Sequence, residues 1–178
     1  MTDLDTSQLS ACAYKPEHFK AQEFASRSAF ERYGNRVLRY IDTRILITAD
    51  QLRYQFGPMT INNWSWGGNR EFSGLRLAGD NYFSKTSDHS WGRAIDGLFL
   101  RAKAQEVRDY IEEHPEQFPY ITFIEEGKSI TWLHAACPNL CGLPFVCTYD
   151  NSIVFWNKDT GAFREVFRKN GRLLNDRN

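Results

Sequence analysis

Apolar residues recur at helical spacing in some stretches of the chain and alternate or cluster as in strands in others. Residues 16–30, PEHFKAQEFASRSAF, open on a proline and carry Phe19, Phe24 and Ala25 at intervals that predict a helix. IDTRILITADQLRYQFG puts Ile41, Ile45, Leu46, Ala49 and Leu52 on one helical face and stops at Gly57-Pro58. PMTINNW is short and β-like, and WSWGGNREFSG reads as a Gly/Asn-rich loop. RAIDGLF reads as a strand, and RAKAQEVRDYIEEH as an amphipathic helix that ends before Pro115. In PYITFIEEGKSITWLHAA, two runs rich in Ile, Thr, Phe and Trp flank a turn near Glu126-Gly127-Lys128-Ser129, the pattern of a β-hairpin. SIVFW gives a last strand, with a further hairpin around NKDTG and a polar tail. Helices first, then strands with one intervening helix, predict an α+β fold: N-terminal helices packed on a mostly antiparallel sheet.

No repeat, low-complexity tract or Ser/Gly/Pro-rich linker divides the 178 residues, so one domain over 1–178 is expected, with 1–14 as a flexible tail. Lys plus Arg equals Asp plus Glu at 22 each. That balance gives no electrostatic reason to expect nucleic acid or an anionic membrane as partner. No apolar run approaches the roughly 20 residues that span a bilayer. The polar, acidic start MTDLDTSQLSACAYKPEHF is unlike a secretory signal, so synthesis in a cytoplasm and another route of export are expected. Three of the four cysteines, Cys137, Cys141 and Cys147, crowd into CPNLCGLPFVC, and the fourth is Cys12. A single C-x-x-x-C with no His close behind it favours reduced, partly buried thiols over a second metal site.

The chemistry concentrates in S87-D-H-S-W-G-R-A-I-D96 and T131-W-L-H134. On a helix, the seven residues from His89 to Asp96 would rise about 10.5 Å, too far for both to reach one ion at roughly 2 Å. The segment must fold back, and Gly92 sits where a turn allows it. On the following strand Ala94 and Asp96 share a face, as do Trp132, His134 and Ala136 on the hairpin, so each candidate ligand has a small neighbour. Two imidazoles and a carboxylate are a catalytic zinc set with a fourth position left for water, whose pKa zinc lowers to roughly 7. A hydrolase also needs a general base. A two- or four-residue hairpin turn pairs Glu125 with Ile130 and puts it on the His134 side. A three-residue turn puts Glu126 there instead, and Glu125 is the preferred candidate. His18 and His114 lie in polar surroundings and read as surface residues, while Trp64, Trp66 and Trp91 suit either a groove or core packing.

Ser87-x-His89-x-x-Gly92-x-Ala94-x-Asp96 with a later Trp-x-His resembles the signature of the Hedgehog-like zinc peptidases, which include D-alanyl-D-alanine carboxypeptidases and phage L-alanyl-D-glutamate endolysins. The resemblance runs from HFKAQEF to the hairpin and includes S73-G-L-R76. It implies zinc ligation by His89, Asp96 and His134, and a role for Arg76 on the substrate carbonyl or developing oxyanion. Ser87 is implied to hydrogen-bond the substrate or position the site, and Trp132, on the His134 face, is placed with the substrate-binding residues. The activity implied is hydrolysis of peptidoglycan stem peptides, as by a phage lysin that a holin releases or that travels in a particle beside other virion proteins. The chain departs from the pattern at Thr131, where many members carry a catalytic Glu three residues before the last His. Either a Glu of the neighbouring strand takes that place, or the protein is a non-catalytic virion or wall-binding protein that keeps the fold. The segment FVCTYDNSIVFWNKDTGAFREVFRKNG matches no motif.

Overall fold

The computed structural model describes residues 14–138 and 152–168. The expected N-terminal tail, apart from Tyr14, lies outside the described residues, as do Cys12, Cys141 and Cys147. The α-helices are α1 (Arg27–Tyr33), α2 (Thr43–Phe56) and α3 (Ala104–Glu113). The strands are β1 (Met59–Thr60), β2 (Ala94–Phe99), β3 (Phe123–Glu126), β4 (Leu133–Ala136), β5 (Ser152–Asn157) and β6 (Phe163–Phe167). They form one sheet in the order β1-β2-β4-β3-β5-β6. Every neighbouring pair is antiparallel except β3 and β5. This is the α+β architecture the pattern predicts.

Helix α2 forms as its apolar spacing dictates. The Asp42 side chain accepts from the Arg44 amide at its start, Gly57 closes it at φ 80°, and Ile45, Leu46, Ala49 and Leu52 are buried along one face. The stretch 16–30 departs from the single helix its spacing predicts. A 3₁₀ turn at Ala21–Phe24 gives way to extended backbone at Ala25, which bridges Leu75, and Ser26 then caps α1. The tertiary bridge overrides local propensity, because an extended Ala25 is what lets this segment touch the loop ahead of the His89 motif. PMTINNW is likewise strand only at Met59–Thr60. Its Asn62 side chain instead donates to the Ala25 carbonyl and accepts from the Ser73 amide, tying the same loop down.

The two faces of the sheet have different jobs. Ile95, Ala135, Ile124 and Phe155 lie in one cross-strand row toward the helices and are buried in the main core. The next row, on the opposite face, runs Asp96, His134, Glu125, Trp156, Phe163. Ala94 and Ala136, the small neighbours expected beside the two ligands, pair directly with each other.

The β3–β4 connection differs from the expected tight turn. β3 ends at Glu126 and β4 starts at Leu133, so residues 127–132 intervene and Glu125 stands opposite His134 rather than Ile130. The physical cause is Arg108 of α3, whose guanidinium donates to the carbonyls of Glu125, Ile130 and Trp132. Those bonds replace the ladder that a closed hairpin would make.

Candidate metal centre

His89 sits in a 3₁₀ turn, Asp88–Trp91, that Gly92 ends in the left-handed region at φ 66°. A Cβ at Gly92 would lie 2.1 Å from the Tyr40 carbonyl oxygen, and the Asp42 amide donates to the Gly92 carbonyl at 2.9 Å. The reversal is therefore pinned against the entry to α2 and delivers the chain into β2, which carries Asp96. The β2–β4 register brings His134 opposite Asp96. His89 Nε2 lies 3.3 Å from His134 Nδ1 and 3.3 Å from Asp96 Oδ2, and His134 Nδ1 donates to Asp96 Oδ1 at 2.8 Å.

These separations suit a shared cation. A four-coordinate centre with bonds of about 2.1 Å has ligand–ligand edges of roughly 3.4 Å, close to both His89 distances. On its other side His89 Nδ1 donates to the Gly74 carbonyl at 3.1 Å. That bond fixes the tautomer and leaves Nε2 with a free lone pair, the usual support of a metal-ligating histidine. Among the described residues this is the one cluster of His, Cys, Asp and Glu whose ligand atoms converge, all within 4.8 Å. His89, Asp96 and His134 could thus hold a metal ion.

Burial and mutual contact shift all three groups. Burial pushes the His89 imidazole below its usual value, despite the pull of Asp96. For His134 burial acts the same way, but the hydrogen bond and charge of Asp96 outweigh it and leave the value raised. Burial alone would raise Asp96, yet the facing histidines hold its carboxyl well below the usual carboxylate range.

A cleft of about 550 Å³ opens over this cluster, and its lining includes Ser73, Arg76, Ser87, Glu125 and Trp132 as well as the three ligands. Arg76 points at the centre: its Nη2 is 3.6 Å from Asp96 Oδ2, while Nε and Nη1 donate to the carbonyls of Phe72 and Tyr82. Glu126 is elsewhere, because it follows Glu125 on the strand and faces the other side, where Arg164 binds it at 2.7 Å. Thr131 is exposed and does not line the cleft. Trp64, Trp66 and Trp91 are not in its lining either; Trp64 donates to the Ala25 carbonyl and Trp91 to the Lys85 carbonyl. Cys137, buried at the end of β4, has its thiol pushed up to about 12 by burial.

Three contributors escaped the sequence reading. Arg70 reaches from the Gly/Asn-rich loop to the Asp96 carbonyl at 3.0 Å and lines the cleft. Tyr82, at φ 61°, supplies the carbonyl that orients Arg76. Arg108 holds the loop that carries Trp132. Arg70 and Arg108 each have acidic neighbours in the sequence and Tyr82 lies in a loop, so no sequence signal set the three apart. Comparison with protein-family models, curated proteins and solved structures gives no match. Among the described residues no helix is long and apolar enough to cross a membrane.

Proposed function

We propose that the protein is a zinc peptidase of the Hedgehog-like kind that hydrolyses a bond in peptidoglycan stem peptides. One observation carries the reading. Asp96, His134 and Glu125 stand side by side in one cross-strand row, with His89 and Arg76 converging on the same cleft. His89, Asp96 and His134 would hold the zinc, an imidazole and carboxylate set with an open position. When bound there, zinc supplies the Lewis acidity that makes a hydrolytic nucleophile available near neutral pH.

The chain's own groups divide the remaining work. Glu125 takes the proton of the attacking water and passes it to the leaving amine. Its place directly across the ladder from His134, in the lining of the cleft, supports a carboxylate of the neighbouring strand standing in for the Glu absent at Thr131. Arg76, with a side chain 12% exposed, holds the substrate carbonyl oxygen and stabilises the charge that develops on it. Ser87 and Trp132 line the same cleft and contact the substrate peptide. In this reading the protein reaches the wall by holin-dependent release or as part of a virion.

The test is loss of turbidity of purified bacterial walls together with release of new amino termini. Both should disappear on chelation and in His134→Ala. Lysis untouched by either treatment rejects the reading, and wall binding without new amino termini points to a non-catalytic binder.

A further inference from the structure

The row that carries Asp96, His134 and Glu125 continues beyond the cleft. Trp156 on β5 is in register with Glu125, and Phe163 on β6 is in register with Trp156. The Phe123 and Trp156 rings lie 6.5 Å apart at 30°, and those of Trp156 and Phe163 6.3 Å apart at 27°. Phe163 is 67% exposed, and Phe167, on the same face, is 62% exposed. On the opposite face of β6, Arg164 and Val166 are half-buried.

This inverts the ordinary pattern of a one-sided sheet, in which the solvent face is polar. Exposed rings gathered in a line mark a binding surface more than a solvated one. The line is narrow, with the exposed Glu165 between Phe163 and Phe167 and Lys158 at the cleft end. A broad apolar partner finds little to cover there, whereas a linear ligand with apolar faces and polar edges fits. Pyranose rings have that character: their C–H faces pack on aromatic rings and their hydroxyl rims meet charged groups.

We propose that Phe123, Trp156 and Phe163 form a carbohydrate subsite that holds the amino-sugar strand to which a stem peptide is attached. The choice of occupant rests on the stem-peptide reading above. The dimensions suit it. Three strand spacings separate the ligand His134 from Phe163, about 14 Å, which about four extended residues span. A sugar on the ledge and a scissile bond over the metal centre then belong to one short stem.

The experiment titrates a peptide-free oligomer of N-acetylglucosamine into the full chain, with and without chelator, following tryptophan fluorescence and calorimetric heat. Saturable binding is expected in both conditions, weakened about tenfold in Phe163→Ala and in Trp156→Ala. Phe163→Trp, which keeps a ring, should restore it. Because Phe163 is largely exposed, its replacement tests the ledge without opening the core, and unfolding curves verify this. Absence of binding at millimolar sugar, or equal binding by wild type and both alanine variants, overturns the proposal. So does a concentration-dependent dimer that Phe163→Ala abolishes in a protein that ignores sugar. A protein that cleaves stem peptides without binding the oligomer sinks only this subsite, and one that binds the oligomer without releasing amino termini sinks only the peptidase reading.

Discussion

His89 donates its Nδ1 hydrogen to the carbonyl of Gly74, a residue with no room for a side chain, since a Cβ there would fall 2.1 Å from the Phe24 carbonyl oxygen. The Leu75 amide also donates to that Phe24 carbonyl at 2.8 Å. The glycine thus lets two backbones meet so closely that its own carbonyl is fixed under the imidazole. Gly74→Ala must push the segments apart, which should cost about 1–3 kcal/mol of stability. Loss of the fixed tautomer should weaken metal binding by about 10–100-fold. Chemical denaturation and metal titration read the two effects separately. Full metal affinity in a destabilised Gly74→Ala protein would show that the bond does not orient the ligand.

Proton competition at the metal centre should come from His134. With its value raised by Asp96, it holds its proton to higher pH than His89, whose value burial pushes down. A cation must displace that proton, so affinity should climb with pH throughout the range below the raised His134 value and level off above it. The slope on the rising limb is about tenfold per pH unit for one proton. Calorimetry of zinc binding in buffers of different ionisation enthalpy counts the protons released. Affinity independent of pH from 6 to 8 would remove His134 as the titrating ligand.

The two neighbouring glutamates should separate cleanly. Glu125→Gln should lower stem-peptide hydrolysis by about 10²–10⁴-fold with zinc still bound, the range for a lost acid–base group. Glu126→Gln removes one of two carboxylate partners of a partly exposed Arg164, which keeps Glu112, and should cost about 0–1 kcal/mol of stability, with hydrolysis near wild type. Rates and zinc content of the two variants, measured together, decide between them. A reversed order of effects would move the base to the other face of the sheet.

The site was legible in the sequence where local rules decide. The reversal at Gly92 followed from ligand reach, and the small neighbours Ala94 and Ala136 followed from strand alternation. Helix α2 likewise followed from its apolar face, its stop at Gly57-Pro58 and the spacing of Ile45, Leu46, Ala49 and Leu52. What failed to show depends on contacts between distant segments. Ala25 leaves the first helix to bridge Leu75, and β5 enters parallel to β3 rather than extending a meander. The hairpin register could not be read from its turn, because Arg108, on a helix earlier in the chain, sets it.

A single change at Arg108 should also disturb the fold. Arg108 is 1% exposed, and its guanidinium hydrogen-bonds the carbonyls of Glu125, Ile130 and Trp132 and the Gln105 side chain, with carboxylates only at longer range. Hydrogen bonds from a charged donor are worth about 1.5–3 kcal/mol each, and buried carbonyls stripped of them bear a desolvation penalty. Arg108→Met keeps much of the volume while removing every donor, so a loss of about 3 kcal/mol in urea unfolding is expected. Arg108→Lys keeps the charge but not the planar fork, and should recover only part of it. Both variants should also lose hydrolysis while still binding zinc, because Arg108 bonds the backbone of Glu125 and Trp132 whereas β2 holds His134 opposite Asp96. If Arg108→Met unfolds at the wild-type urea concentration, the 127–132 loop is held by something other than this side chain.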